Sequence, residues 1–195
     1  MENWQRQSAL QALREDTGSA CLQDSELCVR ELPFSGKLIL HAKRSHDIIK
    51  QAVSEVIGLD LPLVPNTNSV SDRTMLWMSP WKWMILHDPS ETRQLRRELE
   101  TALAGVSILL SDVSDARFGI EVSGAQARNL LMRICSLDLD AGSFSPGQCA
   151  QTLLARVPVL LHQVDDQPTF HLYVDRSMAH YAWDWLSDAA RGLGR

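Results

Sequence analysis

Lys82-Trp-Met-Ile-Leu-His-Asp-Pro-Ser90 and Thr169-Phe-His-Leu-Tyr-Val-Asp-Arg-Ser177 are the two stretches whose likeness decides the fold. Each is a strand-like run ending in an aspartate that can cap a following helix. Upstream of each pair of strands the likeness continues: the helical run 46–57 leads into Leu59-Asp-Leu61 as residues 124–135 lead into Leu137-Asp-Leu139. The matched segments are short, and the shared order of elements gives them weight. From Lys37 onward the first half reads strand, helix, strand, strand, helix, strand, which is the ferredoxin-like order. The second half nearly repeats it. The expected class is therefore α+β: two pseudo-repeated ferredoxin-like halves, about residues 26–105 and 106–195, with antiparallel sheets and exchanged edge strands around a common core. An N-terminal arm, residues 1–25, precedes them.

Local signals fill in this outline. The arm mixes polar residues with sparse apolar ones and predicts a short helix from Trp4 to Leu13. Residues 28–34 and 37–42 read as strands joined by a hairpin turn at Ser35-Gly36. A helix over 46–57 follows, N-capped by Ser45, carrying Ile48, Ile49, Ala52, Val53, Val56 and Ile57, and closed by Gly58. Residues 62–72 read as a loop. A second hairpin spans 74–79 and 82–87, and the next helix has Asp88 as cap, Pro89 at its first position and Leu95, Leu99, Ala102 and Leu103 on one stripe, with Gly105 ending it. Strands near 107–112 and 118–122 precede a helix opened by a Ser123-x-x-Gln126 capping box, with Ala127, Leu130, Leu131, Ile134 and Cys135 on one face. Residues 151–164 read as one long strand interrupted at Pro158. Asp165 to Pro168 turns the chain into strand 169–174, and the last helix runs from the Asp175 cap to about Arg191.

At 195 residues, 45% apolar and 22% charged, the chain has enough material for a substantial core. A formal charge of −5 offers no general attraction to nucleic acid or anionic lipid. No run of about 18 apolar residues occurs and the N-terminus lacks a signal-like apolar stretch, so the chain reads as cytoplasmic, soluble and not membrane-bound. The cysteines (Cys21, Cys28, Cys135, Cys149) have no zinc-like spacing, and their reading is structural, with a Cys21–Cys28 pairing left open.

The search for chemistry is largely negative. Ser35-Gly36-Lys37 and Val122-Ser123-Gly124 complete no phosphate loop, dinucleotide fingerprint or nucleophile elbow, and read as turns and caps. The histidines (His41, His46, His87, His162, His171, His180) lack metal-site spacing; those on predicted strands read as structural. Asp165-Asp166 are adjacent turn formers, and the charged face around Arg93, Arg96 and Arg97 is balanced by Glu91, Glu98 and Glu100. No catalytic, cofactor-binding or metal-binding residue is expected on this chain.

Six tryptophans against four phenylalanines and two tyrosines are more telling. On the last helix Met178, Tyr181, Ala182, Trp185, Leu186 and Ala189 form one stripe and leave Trp183 among polar neighbours. On strand 82–87, Trp83 and Ile85 share one face while Met84 and Leu86 share the other, so both faces need cover. Trp81, Trp83 and Trp183 are the candidate subunit-interface residues; the competing reading of the hairpin is a sheet covered on both faces by the protein's own elements.

Four blocks then carry a family likeness: Ser111 to Arg128, Leu137-Asp-Leu139, Cys149 to His162 and Phe170 to Trp185 resemble successive segments of sarcosine oxidase gamma subunits, over roughly residues 72–190. Met78-Ser-Pro-Trp-Lys-Trp-Met-Ile-Leu86 also resembles a hairpin of the glycine-cleavage T protein's folate-binding fold, with Ser79 where glycine is expected. The resemblance implies an accessory gamma chain, packed mainly against alpha in an assembly with beta and delta chains that oxidises sarcosine to glycine. It implies that FAD, FMN, NAD, tetrahydrofolate and zinc belong to the partner subunits. The alternatives it leaves are a gamma subunit of a related N-methyl amino acid oxidase or dehydrogenase, and a stand-alone folate-binding or aminomethyltransferase-like protein.

Overall fold

The computed structural model describes residues 7–11, 21–23, 25–43 and 46–193. Its strands are β1 (Cys21–Gln23), β2 (Cys28–Glu31), β3 (Gly36–Ala42), β4 (Asn68–Val70), β5 (Thr74–Ser79), β6 (Lys82–His87), β7 (Ile108–Asp112), β8 (Arg117–Ser123), β9 (Cys149–Leu154), β10 (Val157–Asp165) and β11 (Thr169–Asp175). The helices are α1 (His46–Ile57), α2 (Thr92–Ala102), α3 (Ala127–Ile134) and α4 (Ala179–Arg191). Single 3-10 turns, Pro89–Glu91 and Arg176–Met178, lead into α2 and α4.

The strands make two antiparallel sheets, ordered β4-β5-β6-β3-β7 and β1-β2-β8-β11-β10-β9. In the first, β7-β3-β6-β5 is the ferredoxin-like arrangement, with β4 added at the edge. In the second, β8, β11 and β10 take the equivalent places, and the strand beside β8 is β2, supplied from far upstream. Expected edge-strand exchange is thus present. It also corrects the Ser35-Gly36 hairpin: β2 and β3 adjoin in sequence but lie in different sheets, so residues 32–35 are a crossing connection. Gly36 is required there, because a Cβ at this position would lie 2.1 Å from the His87 ring.

Helices α1 and α2 cover one face of the first sheet, where Ile49, Val53, Ile57, Leu95 and Leu99 pack on Leu38, Leu40, Trp83 and Ile85. Helices α3 and α4 cover the second sheet through Leu130, Leu131, Ala182, Trp183 and Leu186 against Ile120, Val122, Leu161, Phe170 and Leu172. The uncovered faces meet in a shared core of Ile39, Leu76, Met78, Met84, Leu86, Cys149, Leu160 and Tyr173. The strand period of two sends alternate residues to these different cores, which is why strand 82–87 is apolar on both sides.

Three further local readings change. Ser123 ends β8 and its hydroxyl bonds Glu121, so no capping box forms; the backbone N–H of Gln126 donates instead to the Glu26 carbonyl at 3.1 Å. Gly124, at φ +105°, permits this: a Cβ there would lie 2.3 Å from that same carbonyl oxygen. The long strand 151–164 is a tight hairpin of β9 and β10, turned at Ala155 (φ 52°). β4 lies within the expected loop. Ser45 and half of the expected Trp4–Leu13 helix, residues 4–6, 12 and 13, lie outside the described residues, while Leu10 is fully buried in the second unit's core. Cys21 and Cys28 are free thiols.

Candidate functional site

One row of side chains crosses the second sheet on the face that also carries Leu160 and Tyr173. Register sets Arg30 opposite Glu121, Glu121 opposite His171, His171 opposite His162, and His162 opposite Cys149. Arg30 grips Glu121 with two hydrogen bonds, 2.9 and 3.0 Å. The other side of that carboxylate lies 3.5 Å from His171 Nε2. Burial alone would raise the Glu121 pKa, but the hydrogen bonds and charge of Arg30, aided by His171 and Ser123, hold it below the ordinary range. His171 is lowered by burial, against the pull of Glu121. His162, 4% exposed, is pushed down to about 3 by burial and then by His171, whose ring meets it edge-on at 5.2 Å. Tyr173 stacks on its other side.

This row holds an ion pair and neutral histidines, and it lacks an activated nucleophile. Burial pushes the Cys149 thiol up to about 11, and its Sγ donates to the carbonyls of Thr67 and Trp77. Such a thiol is inert. Among the described residues no group of three or more His, Cys, Asp or Glu is placed to hold a metal ion.

A cleft of about 460 Å³ opens where the chain crosses between the sheets, lined by Glu31, Phe34, Lys37, Ser114, Arg117 and Arg176 among others. Its cations already serve the fold. Lys37 Nζ donates to the Ser35 carbonyl at 2.9 Å and sits over the Phe34 ring, Arg117 lies 3.6 Å from Asp175, and Arg176 donates to the Gln7 carbonyl.

The tryptophans are arranged otherwise than their spacing suggested. Trp83 is fully buried beneath α1 and α2 and donates its indole N–H to the Pro62 carbonyl at 2.8 Å. Trp183 is 5% exposed. On α4 the buried stripe is Ala179, Ala182, Trp183, Leu186 and Ser187, while Met178, Tyr181 and Trp185 face outward. The expected stripe is partly out of phase: Ala182 and Leu186 face the sheet as expected, whereas Met178, Tyr181 and Trp185 face solvent and Trp183 is buried in their place. Trp81 is half-buried. Of the three candidate interface residues, Trp83 and Trp183 are core residues of this chain. Two features escaped the sequence reading. The Arg30–Glu121–His171 row needs cross-strand register to be seen; Tyr181 and Trp185 carried the available signal of an i, i+4 aromatic pair opposite an alanine-rich face.

The sarcosine oxidase gamma subunit family matches residues 43–192. The chain belongs to that family. Sarcosine oxidase gamma subunits of Corynebacterium sp. (strain P-1) and Arthrobacter sp. are each 29% identical to it, over 71% and 85% of this chain and 68% and 75% of theirs. That of Corynebacterium sp. (strain U-96) is 26% identical over 83% of this chain and 78% of its own. Among solved structures, heterotetrameric sarcosine oxidase from Corynebacterium sp. U-96 contains a chain with the same fold (TM-score 0.84, 24% identity, 97% of each chain covered). Aminomethyltransferase T of Bartonella henselae shares the fold more distantly, at TM-score 0.67 and 11% identity, over 91% of this chain and 56% of that one.

Proposed function

We propose that this chain is the gamma, accessory subunit of a heterotetrameric sarcosine oxidase that demethylates sarcosine to glycine. The observation that carries the proposal is family membership across residues 43–192. It is supported by the chemistry of the polar row, where Glu121 is paired with Arg30, His162 is held neutral and Cys149 is a buried, passive thiol. The chain contributes folded surface to the assembly, and the flavins, NAD, tetrahydrofolate and zinc belong to its alpha, beta and delta partners, with alpha as the main contact. We place the complex in the cytoplasm; no helix among the described residues is long and apolar enough to cross a membrane.

A stand-alone folate-binding role finds little support in the cleft at the crossing. Its guanidinium and ammonium groups are engaged by the chain's own oxygens, so an anionic tail would have to displace them. Native mass spectrometry and an absorption spectrum of the tagged chain, gently purified from its own host, test the proposal. Co-purification with three other chains and a flavin band is expected. A colourless lone protein that binds tetrahydrofolate stoichiometrically would overturn it.

A further inference from the structure

The outward face of α4 borders a groove of about 620 Å³, lined by Ile134, Leu153, Arg133, Arg156, Tyr181 and Trp185 among others. Trp185 is 43% and Leu153 48% exposed, and the rings of Tyr181 and Trp185 lie 6.3 Å apart. Three elements build it: the C-terminal turn of α3, the β9–β10 hairpin and one face of α4. All three are fixed from beneath, since Leu131, Leu154, Val157, Ala182 and Leu186 are buried in the second unit's core. The groove is therefore a rigid concavity with an aromatic wall. Two exposed arginines rim it, and neither makes an ion pair among the described residues. The groove's own lining is thus positive on a chain of net charge −5, although Asp184 and Asp188 are exposed on the same helix, Asp188 being paired with Arg191.

We infer that this groove receives a segment of a larger partner subunit, offering an apolar side chain flanked by aspartate or glutamate. The inference rests on the subunit reading above and adds the surface and the chemistry of the contact. Tryptophan, tyrosine and arginine are the residue types that concentrate binding energy at interfaces. Exposed on a monomer they leave apolar area in water that a partner would cover. The arginine rim selects for carboxylates, because guanidinium pairs with carboxylate in a two-pronged geometry and repels a basic segment. A symmetric pairing of two copies fits less well: it would set the two arginine rims against each other.

The test is co-expression of the four subunits with the tagged wild-type chain or with Trp185→Ala, Tyr181→Ala, or the double variant Arg133→Glu with Arg156→Glu. Leu109→Ser is the control, since Leu109 is 60% exposed on edge strand β7 of the other sheet. Assembly is read by native mass spectrometry over a dilution series, and folding by thermal unfolding of each isolated chain. Trp185→Ala is expected to weaken assembly about tenfold or more, with the isolated chain's melting unchanged. The charge-reversed variant should weaken it further at low salt than at high salt. Wild-type assembly that all three variants match would overturn the groove as the docking surface and leave the subunit reading standing. Failure of the wild type to assemble would remove both. Groove-dependent homodimers in place of the tetramer would overturn the assigned occupant.

Discussion

The two sheets bring unlike chemistry to the face they share. The first contributes chiefly Ile39, Leu76, Met78, Met84 and Leu86, with Lys37 its buried charged residue on the same face of β3 as Ile39. The second contributes Leu160, Tyr173 and Cys149, and alongside them the row Arg30, Glu121, His171 and His162. The difference follows from how each sheet obtains the strand beside its first ferredoxin-like strand. β7 reaches β3 directly after α2, with only residues 103–107 between them. β2 reaches β8 from the opposite end of the chain, and a single-residue slip would turn Val29 out of the core and carry Arg30 away from Glu121. The ion pair works as a register mark for the borrowed strand, and its polarity is tolerated because each member is partnered.

The largest expected effect tests the apolar side of this contrast. Trp83→Ala removes a fully buried indole and leaves the Pro62 carbonyl without its donor, and should cost about 3–5 kcal/mol in urea unfolding. Next comes the tether of the borrowed strand. Gly124→Ala forces a Cβ into the Glu26 carbonyl at positive φ and should cost about 2–3 kcal/mol; limited proteolysis should show residues 21–31 opening before the first sheet does.

Acid should separate the polar row from the apolar face. His162 is neutral in the fold, with its pKa moved from 6.5 to about 3. Above pH 6.5 both folded and unfolded chains hold it neutral and it contributes no pH dependence. As pH falls through the window from 6.5 to about 3, the unfolded chain takes up the proton first and stability declines, by roughly 2 kcal/mol at pH 5. His162→Leu should flatten that part of the slope in paired unfolding curves at pH 7 and 5; an unchanged slope would refute this role. The smallest effect is Glu121→Gln, about 1 kcal/mol at neutral pH, because Arg30 is 55% exposed and water screens the pair. Its signature is a salt-insensitive stability where the wild type weakens slightly with salt.

Much of this architecture can be read from the residues. The i, i+3, i+4 spacing of Ile49, Ala52, Val53, Val56 and Ile57 marks α1, and the aspartate-proline start marks the entry to α2. The two short apolar runs of β5 and β6, separated by Pro80 and Trp81, mark their hairpin. What stays hidden depends on partners distant in sequence. Ser35-Gly36 has the composition of a turn, and only the pairing of Val29 with Val122 reveals that the chain crosses there to another sheet. Asn68-Ser-Val70 has no alternation to betray an edge strand. The phase of α4 is ambiguous in the sequence because Trp183 and Trp185 are both apolar, and only the packing of the helix on the sheet shows that Trp183 is the buried one. The groove required three such elements to be placed together.

The borrowed strand also has a consequence for synthesis on the ribosome. β2 is made early, yet the strand it pairs with follows roughly ninety residues later. At about 5–20 residues per second this is a wait of roughly 5–20 seconds, during which β3 to β7 can close the first sheet without it. The N-terminal segment must stay unpaired and clear of that growing sheet, then return to a seat that exists only once β8 has emerged. Closing so long a loop makes this a late step in maturation. A nascent chain stalled once residue 116 has cleared the ribosome should therefore carry a folded first unit and a protease-sensitive N-terminal segment, exchanged for protection only when the second unit arrives.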